Sequence, residues 1–201
     1  MKILAHRGYW KTAAEKNSRT AFERAVRCGF GIETDIRDCM GKLVISHDMP
    51  RGGEMTAEEF FSLEGIRTIL LALNMKADGL YGELLKLLDR CGIRDYFAFD
   101  MSIPDTIGYL GMNFASRVSE YEHELPFYSR SAYVWLDCFE SDWFSATDVE
   151  RYLDSGKKVC VVSPELHKRD HRAVWQVLKG IRGEGLAICT DMPDEAKDFF
   201  Q

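Results

Sequence analysis

The chain lacks any long apolar run. Its longest, around residues 69–73, gives way at once to Asn74 and Lys76, well short of the roughly 18 apolar residues that a spanning helix needs. No membrane span is therefore expected. His6, Arg7 and Lys11 interrupt the apolar start before a leader's hydrophobic region forms, so the expectation is a cytoplasmic protein. None of the cysteines, Cys28, Cys39, Cys91, Cys138, Cys160 and Cys189, belongs to a Cys-x-x-Cys pair, which argues against a zinc ribbon or a redox motif. Several sit in apolar runs and are expected to be reduced thiols. Positive charge is also in short supply, 26 Lys and Arg against 32 Asp and Glu for a net charge of -6. That balance excludes general nucleic-acid binding, whose affinity comes from Lys and Arg meeting phosphates. Any phosphate chemistry must rest on a few local cations. Finally, there is no linker, low-complexity stretch or change of composition along 1–201. A chain of 201 residues reads as one domain, able to bury roughly 70% of its unfolded surface in a single core.

What is present is alternation. Eight short apolar or β-branched runs, at 2–6, 31–36, 67–75, 95–100, 111–117, 132–137, 157–163 and 186–190, are separated by helix-like segments. The segments have recognisable starts: Asn17/Ser18 before Ala21 and Phe22, a capping box over Thr56-Ala-Glu-Glu59, and Ser145-Ala-Thr-Asp148. Strict strand–helix alternation favours a parallel sheet. Eight units without a second domain predict an α/β protein of the (β/α)8 TIM-barrel class, with an open doubly wound sheet as the alternative. One run departs from the pattern. Leu43-Val-Ile-Ser46 follows the second strand after only a few residues around Asp38-Cys-Met-Gly41, whereas a parallel crossover needs about a dozen. It is expected to return antiparallel, as a β-hairpin extension that carries His47 back towards Glu33.

Four motifs fall at strand ends, where barrel enzymes build their sites: His6-Arg7-Gly8, Glu33-Thr34-Asp35, His47-Asp48 and Asn74-Met75-Lys76. The strand period of two puts Glu33 and Asp35 on one face, a pair able to bind one hard cation or simply a polar strand end in water. His6 and His47 can exchange protons near neutral pH, and Gly8 permits a tight turn close to a ligand. Phosphodiester cleavage needs a cation, a base for the nucleophile and an acid for the leaving alkoxide. These motifs contain candidates for each role. Arg7 and Lys76 add charge-assisted hydrogen bonds for a phosphate. Tyr9, Trp10, Tyr121, Phe127, Tyr128, Phe139, Trp143 and Phe144 form either a platform for a headgroup or packing beneath loops.

The order His6-Arg7-Gly8, Asn17-Ser18 before Ala21-Phe22, Gly31-Ile-Glu-Thr-Asp35, then Gly41-Lys-Leu-Val-Ile-Ser-His47-Asp48, with Thr190-Asp191-Met192-Pro193 near the end, resembles the glycerophosphodiester phosphodiesterase family. The resemblance covers nearly the whole chain and is strongest over 3–48. It implies a (β/α)8 barrel that hydrolyses a small phosphodiester. It further implies His6 and His47 as acid and base, Glu33 and Asp35 as ligands of Mg²⁺ or Ca²⁺, and Arg7 and Lys76 as phosphate contacts.

Three departures from the family pattern stand out. Lys16 occupies the position of an acidic residue before Asn17, which leaves Asn17 as a candidate helix cap. Asn74-x-Lys76 replaces Glu-x-Lys, so Asn74 takes the place of a third carboxylate ligand, with Asp100 as a possible substitute. Only 49–55 stand where an insertion usually follows His-Asp, which opens the mouth and leaves glycerol specificity unassigned. Two further functions remain in view: a phospholipase-like lyase releasing a cyclic phosphate, and a barrel that binds a phosphorylated ligand without turning it over.

Overall fold

In the computed structural model, which describes residues 1–201, nine strands form one sheet. Eight of them, β1 (Lys2–His6), β2 (Gly31–Cys39), β4 (Leu71–Met75), β5 (Tyr96–Phe99), β6 (Ala115–Val118), β7 (Tyr133–Leu136), β8 (Lys158–Val162) and β9 (Leu186–Thr190), run parallel in the order β5-β4-β2-β1-β9-β8-β7-β6. The ends of that order meet. Ala98 in β5 bridges Phe114, just before β6, and Ala98 N donates to Asn113 O at 3.0 Å. The sheet is thereby all but closed into the expected barrel. The ninth strand, β3 (Lys42–Ile45), pairs antiparallel with β2 in the register Ile36 to Ile45, as the short connection requires.

Seven helices surround the strands: α1 (Arg19–Cys28), α2 (Ala57–Phe61), α3 (Tyr81–Cys91), α4 (Ile103–Tyr109), α5 (Ala146–Asp154), α6 (Arg172–Gly180) and α7 (Pro193–Phe200). The fifth unit has none, and β6 reaches β7 through turns alone. Capping boxes open α2 at Thr56/Glu59 and α5 at Ser145/Asp148, and Ser18 caps α1 by accepting from Ala21 N. Two strand expectations contract. Residues 66–68 form a 3-10 turn entered through Gly65 at φ 77, so β4 starts later than position 67. Residues 111–112 still belong to the turn leaving α4, where Met112 N donates to Tyr109 O, and β6 starts at Ala115.

Side-chain alternation divides the core. Leu4, Ala72, Phe97, Phe99, Ala115, Tyr133, Trp135, Cys160, Val162, Ala187 and Cys189, on alternate strand positions, belong to one buried cluster that fills the barrel interior. Phe97 stacks on Tyr133 at 4.3 Å and Phe99 on Trp135 at 4.0 Å, crossing over small Ala115. These pairs make the interior a packed core, and a ligand meets the barrel only at its mouth. The opposite strand faces pack against the helices in two outer clusters, one over β1 to β5 and one over β7 to β9.

Candidate active site

At the carboxyl ends of β1, β2 and β4 the inward alternation delivers polar groups instead of apolar ones. Leu4 lies in the interior, so His6 two residues on points the same way, and it stands in register with Glu33. Asp35, two further along β2, stands in register with Asn74. Glu33, Asp35 and Asn74 are 2%, 1% and 8% exposed. Two carboxylates are therefore buried side by side, with cations close by.

Those cations come from the strand ends. Arg7 adopts φ 56 and Gly8 φ 83. A Cβ on Gly8 would lie 2.9 Å from Ala21 Cβ, so this tight turn needs glycine. The turn sets Arg7 N 3.2 Å from Glu33 Oε2, donating to it, and Arg7 Nε 3.1 Å from Asp35 Oδ2 as an ion pair. Lys76 Nζ approaches Asp35 Oδ1 at 3.4 Å. Burial and then the neighbouring Asp35 charge push the Glu33 carboxyl up, to about 8, against the pull of Arg7 and Lys76.

His6 sits between two acids. Its Nδ1 lies 2.6 Å from Asp191 Oδ1, and its Nε2 lies 3.9 Å from Glu33 Oε2. Burial draws its pKa below the ordinary histidine value, with the Asp191 hydrogen bond opposing. Burial acts to raise the Asp191 carboxyl, but His6 and Lys16 outweigh it and hold it low. Asp191 is itself fixed, since Glu165 Oε1 accepts from Asp191 N at 3.1 Å and from Thr190 Oγ1.

Three residues here escaped the sequence reading of the site. Asn17 is not the cap of α1; that role falls to Ser18. At φ 57, Asn17 turns inward, donates from Nδ2 to Asp35 Oδ2 at 2.8 Å and accepts from Thr34 Oγ1 at 2.9 Å. Lys16 places Nζ 3.4 Å from Asp191 Oδ2 and over the Trp10 ring. Asp191 carried a signal, being an acid directly after the last strand, in the same place as the acids after the other strands.

His47 lies apart from this group. Ser46 N donates to Asp35 O at 3.1 Å, so the return strand does bring the chain back to the level of the carboxylates. The His47 ring, however, is 46% exposed and pairs with its neighbour Asp48 at 2.8 Å, making no hydrogen bond to Glu33 or Asp35. Asp100 is occupied as well. It adopts φ 65 and pairs with Arg117 at 3.0 Å, with its carboxyl raised by burial and lowered by Arg117. Of the aromatics, Tyr9 and Phe144 are buried in the outer core, and Tyr128 packs on Tyr152. Trp10 hydrogen-bonds His6 O, Phe139 lies against His167, and Tyr121 remains exposed.

The donor set fits a hard cation. Asp35 Oδ1 and Asn74 Oδ1 are buried oxygens without a hydrogen-bond partner, and Glu33 is a buried carboxylate beside them. No group of three or more His, Cys, Asp or Glu side chains is arranged to hold a metal ion by itself. The set is thus two carboxylates and an amide, all oxygen donors of the kind Mg²⁺ and Ca²⁺ take.

Fold and site together define a class, a (β/α)8 barrel with a carboxylate, histidine and cation cluster at the carboxyl ends of its first strands. No family model matches the sequence, and no curated protein does. Solved structures do match in fold. A protein from Galdieria sulphuraria, provisionally described as a glycerophosphodiester phosphodiesterase, superposes with TM-score 0.74 at 18% identity, covering 99% of this chain and 97% of that one. The glycerophosphodiester phosphodiesterase from Agrobacterium tumefaciens gives 0.71 at 18% identity, covering 100% and 98%. A Ca²⁺-dependent phosphatidylinositol-specific phospholipase C from Streptomyces antibioticus gives 0.62 at 11% identity, covering 100% and 96%. The chain has the fold of these proteins. No helix in it is long and apolar enough to cross a membrane.

Proposed function

We propose that this protein is a metal-dependent phosphoric diester hydrolase acting on a small phosphodiester of the glycerophosphodiester kind, with no nucleic-acid partner. The observation that carries the reading is the His6–Asp191 hydrogen bond of 2.6 Å, which leaves His6 Nε2 on the side of the buried Glu33–Asp35 pair. An imidazole so held has a fixed tautomer and one nitrogen free for proton transfer. With Nδ1–H donated to Asp191, Nε2 carries the lone pair. The lowered pKa of His6 keeps it neutral at pH 7, as a base requires. His6 Nε2 takes the proton of the attacking oxygen, and His47, backed by Asp48 on the open rim, returns one to the leaving alkoxide.

Glu33, Asp35 and Asn74 are the residues that would hold Mg²⁺ or Ca²⁺. When bound, such a cation neutralises charge on the non-bridging phosphate oxygens. Arg7 and Lys76, already drawn to the site by Asp35, orient the phosphate. Trp10 and the buried floor of Phe99 and Trp135 keep water from approaching except through the mouth. The phospholipase C among the fold relatives supports a second reading, in which a hydroxyl of the substrate attacks and a cyclic phosphate leaves. A panel of phosphodiesters assayed with Mg²⁺, Mn²⁺, Ca²⁺ and EDTA tests the activity. Product analysis for cyclic phosphate separates the two readings, and turnover of no diester with any cation overturns both.

A further inference from the structure

The half of the mouth opposite the carboxylates carries a histidine–carboxylate pair of its own. In the ring of eight strands, β7 lies four places from β2 in either direction, so Asp137, just past β7, faces Glu33 and Asp35 across the mouth. Asp137 continues the inward alternation of Tyr133 and Trp135 and is 6% exposed. Its Oδ1 accepts from Cys138 N at 2.9 Å and pairs with His167 Nε2 at 2.7 Å. His167 closes the short turn Pro164–His167 after β8, and its ring centroid lies 4.7 Å from that of Phe139. Its Nδ1 makes no hydrogen bond within the protein.

A buried carboxylate is costly unless it is paired, and this one pairs with an imidazole whose side chain is 23% exposed and whose other nitrogen has no partner in the protein. With Nε2–H given to Asp137, Nδ1 is an acceptor, so its complement is a donor. The neighbouring acids are occupied. Asp100 and Glu122 flank Arg117, and Glu120 accepts from the backbone of Phe139, Glu140 and Ser141. A single free acceptor beside the Phe139 ring suits one hydroxyl on a carbon chain rather than an ammonium, which brings three donors.

We propose that His167, held by Asp137, is a specificity-determining residue that accepts a hydrogen bond from a hydroxyl on the alcohol part of the phosphodiester. The proposal rests on the phosphodiesterase reading above. A phosphoryl group over β2 sends its ester alcohol across a mouth only a few side chains wide, onto β7 and β8.

The test compares wild type with His167→Ala, His167→Gln and Asp137→Asn on glycerophosphoglycerol, on an aminoethyl phosphodiester and on bis(4-nitrophenyl) phosphate, which has no hydroxyl. Loss of one such hydrogen bond is worth up to about tenfold. The ratio of kcat/KM for glycerophosphoglycerol to that for the aryl diester should fall by about that factor in both His167 variants, chiefly through KM. Asp137→Asn should lower it less. An unchanged ratio in a folded His167 variant overturns the proposal, as does a loss confined to the aminoethyl ester. Should wild type turn over none of the three, the hydrolase reading fails on its own. Calorimetry with sn-glycerol 3-phosphate against methyl phosphate then decides this inference. Preference for the glycerol ester that His167→Gln abolishes supports it, and absence of preference in wild type overturns it.

Discussion

Asp35 on β2 and Asn74 on β4 stand side by side in register, and each holds a buried Oδ1 that no hydrogen bond satisfies. Buried polar atoms are nearly always partnered, yet Asp35 Oδ1 has only the Lys76 Nζ ion pair at 3.4 Å and Asn74 Oδ1 has no hydrogen-bond partner. In the proposed function a hard cation is the partner that takes oxygen lone pairs from both.

The first prediction concerns that pair. An amide oxygen ligates without charge, so Asn74→Asp should tighten binding of Mg²⁺ or Ca²⁺, by about tenfold or more, because a charged oxygen ligand replaces a neutral one. Turnover can move either way, since added negative charge also weakens the cation as a Lewis acid. Calorimetric titration of wild type and variant checks it, and equal affinities in folded proteins place Asn74 outside the coordination sphere.

Glu33 predicts a pH dependence of the metal-free protein. Its folded-state carboxyl is raised from 4.5 to about 8, by burial and then by Asp35. Between those values the folded protein holds a proton that the unfolded chain has released, so stability falls as pH rises. This contribution is fully present below 4.5 and gone above about 8. Thermal unfolding in EDTA across that range should show the slope, and Glu33→Gln, neutral throughout, should remove it. An identical slope in the variant refutes the assignment.

The His6–Asp191 bond predicts paired losses. His6→Ala removes the base, and Asp191→Asn removes the acceptor that fixes its tautomer. Each should lower kcat by about 10²–10⁴-fold in a protein that still folds. Near-normal turnover by His6→Ala, with circular dichroism unchanged, removes His6 from the reaction.

In the barrel interior, Trp135 stacks on Phe99 at 4.0 Å and is 4% exposed. Trp135→Ala should cost about 3–5 kcal/mol of stability by leaving a cavity, read by denaturant unfolding. A cost under about 1 kcal/mol would show that the interior closes around the gap, against the close packing normal in protein cores.

Much of this architecture could be read from the chain because its signals are local. Alternating runs announce the strands, and the short link after Cys39 forces β3 to turn back. Glu33 and Asp35 share a face by strand period alone. The residues that escaped depend on contacts made only after folding. Nothing in Asn17-Ser18 says which of the two caps α1, and the left-handed turn at Asn17 decides it. Lys16 and Glu165 act on Asp191 from loops far away in sequence. His47 illustrates the converse, since its hairpin was legible but its ring orientation was not, because the exposed rim offers Asp48 as a partner. The missing helix of the fifth unit follows from 119–132, whose polar turns carry no sustained helical stripe.

The central claim, that the carboxylate–histidine cluster cleaves phosphodiesters with a bound cation, is tested most directly by ³¹P NMR of glycerophosphodiesters incubated with the protein. The account predicts conversion to a phosphomonoester with Mg²⁺ or Ca²⁺ present, its arrest by EDTA, and its loss in His6→Ala. Conversion that continues undiminished in EDTA, or in folded His6→Ala, would contradict it.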